Sequence, residues 1–126
     1  MVAPNAPRIA RTLFKDDEVL SSAVRVRRRH PSDRGRNIEI DLLVTGRRHL
    51  LVCEAKSSVT AEKASAFVEK VRSIPEFFPE FVGFTVLPVI ASMAIEPSLV
   101  AHLSRLHIYA LAFGDEMMEI LNAGAF

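Results

Sequence analysis

Residues 37–56 read Asn37-Ile38-Glu39-Ile40-Asp41-Leu42-Leu43-Val44-Thr45, then Gly46-Arg47, then Arg48-His49-Leu50-Leu51-Val52-Cys53-Glu54-Ala55-Lys56. The first run alternates with period two, the second is apolar, and a glycine-containing turn lies between them, which predicts a β-hairpin. With Gly46 and Arg47 as the loop, Thr45 faces Arg48, Asp41 faces Val52 and Glu39 faces Glu54. Strand side chains alternate, so Glu39, Asp41, Leu43, Leu50, Val52, Glu54 and Lys56 share one face. Ile38, Ile40, Leu42, Val44, Leu51, Cys53 and Ala55 share the other, which is wholly apolar and has to pack on a core. A slip by one residue would bury the charges, so the pattern pins the register.

On the charged face Asp41 and Glu54 become diagonal neighbours, within the roughly 7–8 Å at which two carboxylates can share a small ion. Glu39 and Glu54, directly opposite, repel unless something positive lies between them. A divalent metal removes that repulsion, and Lys56 or a nearby arginine removes part of it. Hard oxygen ligands suit Mg²⁺ or Mn²⁺, and such an ion activates water and offsets charge on a phosphate. Lys56 would then position the water or stabilise developing negative charge. The plain alternative is a polar strand end, Glu54 and Lys56, beside an ordinary solvated face, Glu39 and Asp41.

Upstream, Val24-Arg25-Val26-Arg27 alternates as a strand, and residues 30–35 carry loop punctuation, so three strands form a meander. Ile9, Leu13, Phe14, Val19 and Leu20 predict a short helix within residues 8–21, and residues 1–7 read as a disordered terminus. Downstream, Thr60 is a candidate N-cap for a helix with Ala61, Ala64, Phe67, Val68 and Val71 on its apolar face, stopped at Pro75. Residues 82–91 read as a strand covered on both faces, a helix starts near Ser98, and residues 107–113 read as another buried strand. Gly114-Asp115 is a turn signal, and residues 117–121 fit either a terminal strand or a helical turn. Helices between strands in the second half imply crossovers and parallel pairing.

The chain has 126 residues, 49% of them hydrophobic, enough for one core, and residues 8–126 are read as a single domain. The net charge of +1 conceals a local bias: Arg25, Arg27, Arg28, Arg29, Arg34, Arg36, Arg47 and Arg48 crowd between Ala23 and His49. Guanidinium groups bind phosphate oxygens, so Arg25, Arg27, Arg28, Arg29, Arg34 and Arg36 are candidate nucleic-acid contacts. They equally fit an edge strand protected by charge. Cys53 has no disulfide partner in the chain and sits in an apolar run, as a small core residue does. Neither a secretory signal nor an apolar run long enough for a membrane helix occurs, so a soluble cytoplasmic protein without a membrane partner is expected. His30, His49, His102 and His107 form no ligand pattern, and the absence of Walker-type, GxGxxG and GxSxG motifs argues against a nucleotide cofactor or a serine hydrolase.

Ile40-Asp41-Leu42-Leu43-Val44, followed after the turn by Val52-Cys53-Glu54-Ala55-Lys56, resembles the D…ExK signature of the PD-(D/E)xK nuclease superfamily, and most of all its uncharacterised bacterial branch. The resemblance covers roughly residues 8–91. It implies an α/β, restriction-endonuclease-like mixed β-sheet with an αβββαβ core, extended here by a C-terminal helix and strand and flanked by helices. It implies a divalent-metal-dependent nuclease acting on DNA or a descendant of one, with Asp41, Glu54 and Lys56 catalytic, Asp41 and Glu54 holding Mg²⁺ or Mn²⁺, and DNA as partner. Many members carry a further acid on the helix before the meander. Glu18, or Asp17, takes that place here, so Glu39 and Glu18 complete the list of candidate metal ligands. Two other readings stand beside it. One is an inactive nucleic-acid-binding domain of the same fold. The other is an oligomerisation domain, for instance a homodimer, whose edge strand 23–30 pairs with another chain and whose arginines meet Glu76, Glu80 or Glu96 of that neighbour.

Overall fold

The computed structural model describes residues 6–114 and 117–126. The elements run α1 (Ala6–Phe14), β1 (Ser21–Arg29), β2 (Asn37–Thr45), β3 (His49–Ala55), α2 (Ala61–Phe77), β4 (Thr85–Ser92), α3 (Pro97–Arg105), β5 (Tyr109–Phe113) and β6 (Met118–Ile120), with a 3-10 turn at Pro79–Phe81. The strands form one six-stranded sheet in chain order. The β1–β2–β3 meander is antiparallel, β3–β4 and β4–β5 are parallel, and β5–β6 is antiparallel. This is the mixed α/β architecture that the sequence pattern predicts, with β6 taking the strand alternative for residues 117–121.

Helices cover both faces of the sheet. On one, Phe67, Ile74 and Phe77 of α2 and Leu103 of α3 pack on Ile38, Ile40, Leu43, Leu50, Val52 and Ile90. On the other, Ile9, Ala10, Leu13 and Phe14 of α1 pack on Leu42, Val44, Leu51, Cys53, Val89 and Leu111. The expectation of one apolar and one charged hairpin face is therefore corrected, because both faces are buried. Parallel strands need crossover helices, and those helices cover the sheet.

Within β2 the side-chain phase reverses. Ile38 and Ile40 point to the α2 side, whereas Leu42 and Val44 point to the α1 side. The reversal coincides with Arg25 of β1, which has φ 51°, in the left-handed region. Pairing of β1 with β2 runs in one register from Ser21↔Thr45 to Arg29↔Asn37 and skips only the Arg25–Asp41 position. Val26, opposite Ile40, accordingly packs on the α2-side core, while Val24, opposite Leu42, is 54% exposed.

The turn also differs from expectation. Pairs Leu42↔Cys53 through Thr45↔Leu50 place the loop at Arg47-Arg48, and the Gly46 N–H donates to the His49 carbonyl at 2.8 Å. Asp17 explains the shift. Its buried carboxylate accepts from the backbone N–H groups of Glu18, Arg47, Arg48 and His49 and bonds His49 Nδ1 at 2.8 Å. A Cβ on Gly46 would lie 2.6 Å from Asp17 Oδ2 and 2.8 Å from the Glu18 carbonyl, so only glycine admits this approach. Burial opposes ionisation of Asp17. The bonds from His49 and from the N–H groups of Arg48, Arg47 and Glu18 outweigh it and hold the carboxyl far below its ordinary range.

Three boundaries are corrected. Helix α1 begins at Ala6, so Ala6 and Pro7 belong to it and not to a disordered terminus, while residues 1–5 lie outside the described residues. It ends at Phe14 because Lys15, at φ 60°, turns the chain to bring Asp17 to the β2–β3 loop. Helix α2 starts on the Thr60 cap, whose side chain accepts from the Lys63 N–H, and passes through Pro75 to Phe77. Asp115 of the expected Gly114-Asp115 turn also lies outside the described residues.

Candidate functional site

The β2–β3 ladder ends at Leu42↔Cys53. Asp41 and Glu54 are the next residue on each strand, just beyond the last pair. At this point the strands part. In place of a ladder bond, Asp41 Oδ2 accepts from the Ala55 N–H at 3.0 Å. Glu54 follows Leu50 and Val52 on the α2 side of β3 and is 8% exposed. Lys56 Nζ lies 3.6 Å from Glu54 Oε2, and the Lys56 N–H donates to the Ala91 carbonyl at 2.8 Å, fixing the end of β3 against β4. The Cys53 thiol reports both acids. Burial first, then the charges of Asp41 and Glu54, push it up to about 12, which makes it an inert core thiol.

A residue that the sequence reading passed over completes the group. Lys70 of α2 donates from Nζ to Glu54 Oε1 and, at 2.9 Å, to the Glu39 carbonyl. The signal was present: Phe67, Lys70 and Ile74 are spaced by three and four residues, so a lysine interrupts the buried face of a helix. Beside it a cleft of about 390 Å³ is lined in part by Arg36, Asn37, Glu39, Lys70 and Ser73, where β2 has left β3.

Lys56 is thus brought onto Glu54, and Asp41 is tied to the backbone of Ala55, the residue between them. The Glu39 and Glu18 side chains lie elsewhere. The Glu39 side chain turns toward β1 and pairs with Arg27 at 3.3 Å, a consequence of the phase reversal, and only its carbonyl reaches the group. Glu18 pairs with Arg47 at the turn, the opposite end of the hairpin. Among the described residues no cluster of three or more His, Cys, Asp or Glu could hold a metal. What does converge is a pair of hard oxygens, from the Glu54 carboxylate and the Glu39 carbonyl, with the Lys70 ammonium seated against both and the Asp41 carboxylate on the N–H of the next residue along, Ala55. That donor set fits a hard divalent cation.

The arginine run is only partly free for other partners. Arg28 bonds both carboxylate oxygens of Glu80 and lies 4.2 Å over the Phe78 ring, and its hydrogen bonds hold Glu80 below the ordinary carboxyl range. Arg36 pairs with Glu76 at 3.3 Å, and Arg27 with Glu39. The acids expected on a neighbouring chain, Glu76 and Glu80, are therefore partners within this one. Arg25, Arg29 and Arg34 make no ion pair among the described residues. His30 Nδ1 accepts from the N–H groups of Ser32 and Asp33, which gives it a loop-shaping role. Phe77 and Phe78 are buried and close the core.

No helix among the described residues is long and apolar enough to cross a membrane. No protein-family model matches the chain, and no curated protein matches it. Solved structures do. Protein VC1899 from Vibrio cholerae superposes with a TM-score of 0.57 at 12% identity, over 86% of this chain and 27% of that one. A protein of unknown function, AF1548, gives 0.53 at 14% identity over 87% and 57%. A repair endonuclease from Pyrococcus abyssi gives 0.49 at 11% identity over 87% and 46%. The chain spans between 27% and 57% of the length of these structures. At such identities the likeness concerns fold alone, and that fold is a six-stranded mixed sheet flanked by helices, consistent with the restriction-endonuclease-like architecture.

Proposed function

We propose that the chain is the core of a divalent-metal-dependent nuclease that hydrolyses DNA, with Asp41 and Glu54 as metal-holding carboxylates and Lys56 as the third catalytic group. One observation carries this reading: β2 and β3 separate at Asp41, whose carboxylate turns to the N–H of Ala55, the residue between Glu54 and Lys56, while Lys56 lies on Glu54 and Lys70, which also bonds Glu54, lines the adjoining cleft. The D…ExK resemblance supports it. Asp41 is held by the Ala55 N–H, and Glu54 by the end of β3, which fixes both donors on strands rather than loops. A bound Mg²⁺ or Mn²⁺ would activate water and offset charge on the phosphate. Lys56, beside Glu54, would orient that water or stabilise the charge that develops on the phosphate. Arg25, Arg29 and Arg34 supply cationic groups for the DNA backbone.

The test is Mg²⁺- or Mn²⁺-dependent cleavage of linear, branched and single-stranded DNA. Wild-type cleavage is expected to fall by roughly a hundredfold or more in both Asp41→Ala and Lys56→Ala, with each variant still folded. A second reading, an inactive DNA-binding domain of the same fold, is favoured by the two lysines that already neutralise Glu54. Metal-independent, salt-sensitive DNA binding without cleavage would establish it in place of the first.

A further inference from the structure

We propose that the Lys70 ammonium is a tethered counter-ion occupying the cation position between the Glu54 carboxylate and the Glu39 carbonyl, so that a divalent metal binds by displacing it and Lys70 sets the metal affinity. The inference rests on the metal site of the proposed nuclease but concerns a residue outside the D…ExK signature. Its first support is coordination chemistry. Lys70 Nζ sits on a carboxylate oxygen of Glu54 and on the Glu39 carbonyl, the kind of oxygen pair a hard cation takes. The second is charge. Glu54 meets two ammonium groups, Lys56 and Lys70, so it has no unneutralised charge to offer a metal until one of them leaves.

The third is burial. The Glu54 side chain is 11% exposed, and a carboxylate so placed needs a cationic partner whenever no metal is present. The fourth is the tether itself. Phe67 and Ile74 anchor α2 on either side, each 1% exposed, so the helix stays while the Lys70 side chain, 30% exposed, has the adjoining cleft to move into.

Mn²⁺ titration calorimetry and thermal melts on the full chain test the proposal, using Lys70→Met, Lys70→Gln and the charge-retaining Lys70→Arg. Both neutral variants are expected to bind Mn²⁺ about tenfold more tightly than wild type, and Lys70→Arg to remain close to wild type. Their metal-free melting temperatures should fall, and Mn²⁺ should raise them by more than it raises wild type. Equal or weaker Mn²⁺ affinity in the neutral variants, with wild type still binding, overturns the role of Lys70 and leaves the metal site standing. Absence of Mn²⁺ binding in all four proteins, each folded, overturns both.

Discussion

Asp17 and Gly46 form the tightest residue-level dependence in the chain. Asp17 bonds His49 and four backbone N–H groups, and Gly46 leaves the space in which it does so. Gly46→Ala is expected to push Asp17 out and lower the melting temperature as much as Asp17→Asn does, with little further loss in the double variant. Melts of the two single variants and the double one check this coupling. The pH dependence follows from the depressed folded-state pKa. The Asp17 contribution is fully present above the unfolded carboxyl value of 3.8 and is lost as pH falls toward the much lower folded value. Melts between neutral pH and acid should therefore decline more steeply for wild type than for Asp17→Asn. The residue pattern gave no local warning of this role: an acidic triplet at residues 16–18 reads as a helix interruption, whereas its use is a contact about thirty residues away.

Among the elements, β1 and β2 hold the strain. Arg25 occupies a left-handed conformation that costs a non-glycine residue about 1 kcal/mol. Arg25→Gly removes that cost but loosens the unfolded chain, so stability should stay within about 1 kcal/mol of wild type. Arg25→Val, β-branched and poorly tolerated there, should lose about 1 kcal/mol or more. Urea unfolding of the two variants decides it. The placement of Asp41, Glu54 and Lys56 at the open end of the hairpin was legible because charges interrupt apolar runs at fixed spacing. The register was not, since the Asp17 contact moves the loop by one residue, and neither was the phase reversal, since nothing in Val24-Arg25-Val26 announces a left-handed residue. Glu39 was misplaced toward Glu54 for that reason.

For the whole molecule, the order and type of elements followed from periodicity, because α2 has one apolar face and β4 a nearly unbroken apolar run. Both crossovers then force helices onto the sheet. Strands β3 and β4 lie at the centre, covered on both faces, whereas β1 is an edge with most of its residues exposed. Amide hydrogen exchange should be slowest at Leu51, Val52, Cys53 and Ile90 and fastest along β1, and a β1 as protected as β3 would show that it is covered by another surface in solution. Because β2 changes sides at Asp41, one strand answers to two separate packing partners. Change at Ile38 and Ile40 has to be accommodated by α2, and change at Leu42 and Val44 by α1, so each half can drift in sequence without disturbing the other. Asp41 sits on the seam between them, a member of neither apolar cluster, and its carboxylate stands in for the missing strand pairing by taking the Ala55 N–H.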